Sequence, residues 1–207
     1  GGTGATTAAA AGSPTCVLTP QQTEGPYFVD EKLERSDIRS DPSDSSLRPG
    51  IPLTLAVRVW KVGGNACTPL PGAVVDIWHC DAAGVYSDVE NAKGRKFLRG
   101  YQVTDDQGRV NFTTIYPGWY QGRAVHIHFK VRTNPASSRG QAATSQWYFD
   151  DALNDQVMAQ APYTKAGHRT LNTADGIYRD GGAALTLKPT ASGQGYAAAS
   201  DIGVQSG

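Results

Sequence analysis

AVHIHFKVR, residues 124–132, alternates apolar and polar side chains along its length. Val125, Ile127, Phe129 and Val131 fall on one face, and His126, His128, Lys130 and Arg132 on the other. Period two marks a strand with one face on a core. Side chains two apart on a strand point the same way, with Cα atoms about 6.5–7 Å apart. Two imidazoles so placed can converge on one metal ion, whose bonds to nitrogen are about 2 Å long. The bland alternative is a pair of polar residues on a solvated face.

The pattern recurs on both sides of this strand. In IPLTLAVRVW (51–60), Ile51, Leu53, Leu55, Val57 and Val59 alternate with Pro52, Thr54, Ala56, Arg58 and Trp60. AVVDIWH (73–79) predicts a second strand after a Pro/Gly loop. A turn at 106–108 leads into a strand at 110–115, broken by Pro117 and Gly118. SQWYF (145–149) and ALTLK (184–188) complete the expected strands. A short helix fits 151–161, with Asp150 or Asp151 as its N-cap. The fold class this implies is all-β: a two-sheet β-sandwich with a short helix and flexible termini.

Composition narrows the function. Lys+Arg and Asp+Glu both total 19, so nothing points to nucleic acid or an anionic membrane as partner. No segment reaches the roughly 20 apolar residues of a membrane helix. Residues 1–15 are rich in Gly, Ala and Thr and read as a flexible spacer, of the kind exposed when a leader is removed. Residues 16–189 read as one domain. Residues 190–207 are rich in Ala, Gly and Ser and read as a flexible tail or linker, towards an appended domain or a polysaccharide. The cysteines are Cys16, Cys67 and Cys80, with no CxxC pair for a zinc knuckle. Export would favour a disulfide between two of them. Cys67 and Cys80 fall at opposite ends of one expected strand, so a bridge using Cys16 is easier; the pairing stays open.

Two tyrosines sharpen the histidine pair. Tyr120 follows the Pro/Gly turn of PGWY, six residues before His126, and Tyr86 closes DAAGVY beyond the end of a strand. A phenol with a pKa of about 10 is a poor ligand for most divalent ions. A trivalent cation favours the deprotonated ligand, so two phenolates and two imidazoles suit Fe(III).

The segments LTPQQTEGPYF (18–28), DIWHCDAAGVYS (76–87), FTTIYPGWYQGRAVHIHF (112–129) and SQWYF together resemble the intradiol ring-cleavage dioxygenases, the catechol and protocatechuate dioxygenase family. The resemblance runs from Leu18 to beyond Phe149. It implies an iron set of Tyr86, Tyr120, His126 and His128, with Tyr120 as the ligand that leaves when substrate binds. It implies that Arg123 stabilises charge on the substrate and that Gln146 lines the same pocket. Gly25, Pro26 and Tyr27 match a segment that approaches the substrate ring. The reaction implied joins O₂ to a small aromatic diol and cuts between the hydroxyls, giving a cis,cis-muconic acid. The short secreted members are the nearest in pattern. One departure is Arg123-Ala124-Val125, where many members have Arg-Pro-Ala.

Competing readings use other residues. A sugar-binding sandwich would need Trp119, Trp147 and Tyr148 exposed. A zinc hydrolase would need a carboxylate or third His, for which His79 is a candidate. His79 reads instead as a hydrogen-bonded structural residue, and His168 as exposed. Trp60 and Trp78 read as core or boundary aromatics, Asp81, Asp105 and Asp106 as turn residues, and Lys130 and Arg132 as reaching solvent.

Overall fold

The computed structural model describes residues 16–64, 66–133 and 142–205. The spacer expected over 1–15 lies outside them. Two sheets form the described fold. One joins β1 (Pro52–Gly63), β2 (Ala66–Pro69), β5 (Arg109–Ile115), β8 (Thr190–Ser192) and β9 (Gly195–Gln205). The other has the order β4 (Arg99–Val103), β3 (Val74–Trp78), β6 (His126–Arg132), β7 (Ala142–Tyr148). The expected all-β sandwich is therefore the observed architecture. Helix α1 spans Asp151–Met158 with Asp150 at the N-cap position, and no side chain caps it.

Alternation explains the layers. Leu53, Leu55, Val57 and Val59 of β1 face Val75 and Ile77 of β3 and Ile127, Phe129 and Val131 of β6 in one buried cluster. Burying such side chains contributes about 1.5–3 kcal/mol each. The opposite faces of β3, β6 and β7 carry Trp78, His126, His128, Gln146 and Tyr148, all buried. The loops and the segment from Thr19 to Leu33 cover that outer face.

The C-terminal stretch corrects the sequence expectation. Residues 195–205 are no tail: β9 runs parallel to β1 from Leu53↔Tyr196 to Val62↔Gln205, in the middle of its sheet. Its inward face, Ala198, Ile202 and Val204, is buried. On the opposite face one position must stay small. A Cβ at Gly203 would collide with the carbonyl oxygen of Val17. Asp201 of β9 accepts a hydrogen bond from Trp60 Nε1 of β1 at 2.8 Å.

ALTLK also differs from expectation. Gly182–Leu185 is a 3-10 helix, and Thr186 makes a single bridge to Tyr148. Cys67 sits in its own strand, β2, and not at the far end of the strand before Cys80. It pairs with Cys16, a link spanning 51 residues, while Cys80 is free and buried. Lys130 and Arg132 are held rather than loose. Lys130 pairs with Glu24 at 2.5 Å, and Arg132 with Asp76 at 2.7 Å.

Candidate metal centre

Sheet register assembles one half of the site. His128 faces Trp78 on β3 and Gln146 on β7, while His126 faces Tyr148. Cross-strand partners on one face are close neighbours, so a polar row forms across the sheet. Trp78 stacks on His128 with centroids 4.9 Å apart and planes within 4°. The His128 ring is further backed by Gly25, where even a Cβ would be 3.4 Å from its Cε1.

Loops supply the other half. Tyr86 ends the 81–86 turn, which Asp81 builds by accepting from Ala83 N (3.0 Å) and Val85 N (2.9 Å). Tyr120 ends the 116–120 loop. These two loops interlock: Gly118 N donates to Asp81 O at 3.1 Å, and a Cβ on Gly118 would strike the carbonyls of Asp81 and Ala82. Lys165 ties them together by donating to Ala83 O and Trp119 O. The two phenols therefore meet, with hydroxyls 3.3 Å apart.

Four donor atoms converge. His126 Nε2 lies 3.1 Å from His128 Nε2, 3.2 Å from the Tyr120 hydroxyl and 3.3 Å from the Tyr86 hydroxyl. Ligands about 2 Å from one ion at tetrahedral angles sit about 3.3 Å apart, so the spacing fits a shared metal. The tautomer fits as well. His126 Nδ1 donates to Ala124 O at 2.6 Å, which leaves a lone pair on Nε2 facing the tyrosines. Burial, then the Arg123 charge, holds the His126 pKa down to about 3, so its ring is neutral. Burial lifts Tyr120 to about 12 and Tyr86 well above 10.0. Without a cation both phenols keep their protons; a bound trivalent cation reverses that preference.

Arg123 stands over this cluster. Its Nη1 is 3.2 Å from His126 Nε2, and its Nη2 donates to Gln146 Oε1 at 2.5 Å and to the Tyr148 hydroxyl at 3.3 Å. Gln146 Nε2 donates to Thr23 O at 3.0 Å, tying the 18–28 segment to the site. Tyr27 packs on Tyr86 with ring centroids 4.6 Å apart, and its hydroxyl approaches Glu90 Oε1 at 3.4 Å. Pro26 is exposed beside it. Tyr86, Tyr120, His126 and His128, with Arg123, Gln146, Gly25 and Tyr27, thus reach one neighbourhood. Sequence reasoning missed Asp175, Gln22 and the role of Trp78. Tyr148 entered only the competing sugar-binding reading, although period two places it on the same face as Gln146.

The rival readings lose their footing. Trp119, Trp147 and Tyr148 are buried, which removes the sugar-stacking platform. Among the described residues, no group of three His, Cys, Asp or Glu side chains is placed to hold a metal ion. His79 is turned away: Nδ1 donates to Cys80 O at 2.8 Å, leaving Nε2 to accept from Thr114 Oγ1 at 2.7 Å.

Comparison with known proteins gives the family. A family model described as "Dioxygenase" matches residues 23–186. An intradiol ring-cleavage dioxygenase from Tetranychus urticae is 30% identical, with a TM-score of 0.79, and the match covers 92% of this chain and 95% of that one. This chain belongs to the intradiol ring-cleavage dioxygenase family. A dioxygenase domain from Streptomyces sp. SirexAA-E, part of a fusion with a carbohydrate-binding protein, is also 30% identical, at a TM-score of 0.67 over 91% of this chain and 99% of that one. Chlorocatechol 1,2-dioxygenase from Pseudomonas putida is 32% identical over 145 residues, 61% of this chain and 52% of that protein. The chain spans about half the length of such curated relatives.

Proposed function

We propose that this intradiol family member cleaves catechol-type rings between their two hydroxyls, using O₂ and an Fe(III) ion held by Tyr86, Tyr120, His126 and His128. The observation that carries the reading is the convergence of two phenols and two neutral imidazoles within 3.1–3.3 Å. Bound there, ferric iron would supply a Lewis acid that holds both diol oxygens and draws electron density from the ring.

The chain's own residues do the rest. Tyr120 is the more accessible of the two phenols, so it is the ligand free to swing out and take a proton from the diol. Arg123 brings a fixed positive charge beside His126, where negative charge would build on the substrate. Gln146 and Tyr148 hold Arg123 in that direction. Tyr27 and Gly25 give the ring a wall to lie against. Consumption of one O₂ per diol gives a cis,cis-muconic acid carrying both oxygen atoms.

Export is part of the proposal, supported by the Cys16–Cys67 disulfide. A further domain on the same polypeptide is likewise proposed, from the likeness to the Streptomyces fusion protein; intact mass of the protein from its source tests the domain, and its recovery outside the cells tests export.

The decisive experiment starts from pure protein loaded with ferric iron. Phenolate bound to ferric iron absorbs visible light, so the sample should be wine-red. A panel of catechols read by oxygen uptake and muconate absorbance should identify the diol. A colourless protein that takes up no iron and cleaves no catechol would sink the reading.

A further inference from the structure

Arg123 and His126 both need fixed directions, and both trace back to one carboxylate. Asp175 is 1% exposed and follows the 3-10 helix Asn172–Ala174. Its Oδ2 accepts from Arg123 Nε at 2.9 Å and from Ala124 N at 2.8 Å. Its Oδ1 accepts from Ile177 N at 2.8 Å and Tyr178 N at 3.3 Å, which fixes the carboxylate's own orientation. Ala124 O then accepts from His126 Nδ1 at 2.6 Å. One carboxylate therefore grips the guanidinium directly and the imidazole through a single residue, Ala124, by its N–H on one side and its C=O on the other.

We infer that Asp175 is a positioning residue for this centre. It turns Arg123 so that its Nη atoms reach His126 and Gln146. It also holds the Ala124 peptide so that His126 keeps its proton on Nδ1 and its lone pair on the ligand side. Partners of ligating imidazoles and of buried cations set direction in this way. The same turn reaches further. Ile177 O and Asp180 O both accept from Gln22 Nε2 at 2.9 Å, and Gln22 Oε1 accepts from the Tyr148 hydroxyl at 2.6 Å. Tyr178 packs edge-on against Tyr148, with centroids 5.0 Å apart. The turn thus sets Arg123, His126 and the 18–28 segment together. The geometry stands by itself; the consequence for turnover rests on the proposed function.

The test begins on the full chain without metal, labelled with ¹⁵N. Two protons are followed by NMR: His126 Nδ1–H and Arg123 Nε–H. Both should be resolved and slow to exchange in the unmodified protein. Asp175→Asn should speed exchange of both by about tenfold or more. Ala124→Pro, which removes one N–H and leaves the carboxylate, should speed the His126 proton alone. Asp37→Asn, at the surface, should change neither. Slow exchange of both protons in Asp175→Asn overturns the inference. If that variant does not fold, an unchanged His126 proton in Ala124→Pro overturns it instead. After ferric loading, Asp175→Asn should lose about 10- to 100-fold in kcat with a smaller change in KM, and its visible band should shift. An unmodified chain that takes up no iron would defeat the proposed function and leave the NMR result to decide the role of Asp175.

Discussion

The two histidines and the two tyrosines meet at one point, but they arrive by different routes. His126 and His128 stand on β6, where backbone ladders fix their direction: His128 is paired with β3 and β7, and His126 with β7. Tyr86 and Tyr120 come from loops held by each other and by Lys165. A strand holds a side chain by register, whereas a loop holds it by a few contacts that can be released one at a time. The histidine half is therefore the rigid half, and the tyrosine half is where ligand exchange belongs.

Removing ligands tests this contrast most severely. His128→Ala should lose the iron and the visible band and reduce ring cleavage to background, while far-UV circular dichroism stays unchanged. Tyr120→Phe should retain part of the iron, shift the band and slow cleavage about 10²- to 10⁴-fold, the range for losing a positioned proton acceptor. Tyr86 is buried where Tyr120 is partly exposed, so Tyr86→Phe should retain less iron than Tyr120→Phe. Equal iron content in all three variants would erase the proposed division of labour.

A smaller effect comes from the seam between the loops. Gly118→Ala would press a methyl against the Asp81 and Ala82 carbonyls. Overpacking of this kind costs about 1–3 kcal/mol, and each kcal/mol lowers the Tm of a chain this size by about 2–4 °C. Ferric uptake should weaken alongside Tm. A lowered Tm with unchanged uptake would mean that the seam does not position the tyrosines.

The rigid half was also the legible half. β1, β5 and β6 set apolar side chains against polar ones at period two, and β3 is a short apolar run after a Pro/Gly loop, so these strands could be read directly. β9 carries few large apolar residues, with Ala and Ser over much of its length and Gly203 where the Val17 backbone crosses it. Its composition looks like a linker and its packing is central. ALTLK failed in the opposite way: it has a strand's pattern but no free ladder beyond one bridge to Tyr148. In the site, the histidines, tyrosines and Arg123 lie within short motifs. Asp175 is 51 residues from the peptide it holds and has no local signature. Trp78 became readable once the register placed it opposite His128.

Acid offers the mildest way to separate the halves, because the loop after Tyr86 leans on a carboxylate, whereas β6 is also fixed by backbone ladders that acid leaves intact. Asp41 is buried and accepts hydrogen bonds from Arg95 Nε, Ser43 Oγ (2.7 Å), Ser43 N (3.0 Å) and Lys96 N (3.4 Å). Burial by itself would raise its pKa, but the bonds from Arg95 and Ser43 outweigh that and bring it to about 2, from an ordinary 3.8. A carboxyl that binds its proton less tightly when folded stabilises the fold in full above pH 3.8. That contribution fades as pH falls towards about 2. Arg95 is more than a third exposed, so solvent screens the pair and its contribution to stability is small. Between pH 5 and pH 2.5, denaturant titration of the unmodified chain should show a larger loss of stability than Asp41→Asn. Hydrogen exchange at low pH should quicken first over 88–98 and last along β6. Parallel stability losses in the two proteins, or simultaneous opening of loop and strand, would show that the tyrosine half is held as firmly as the histidine half.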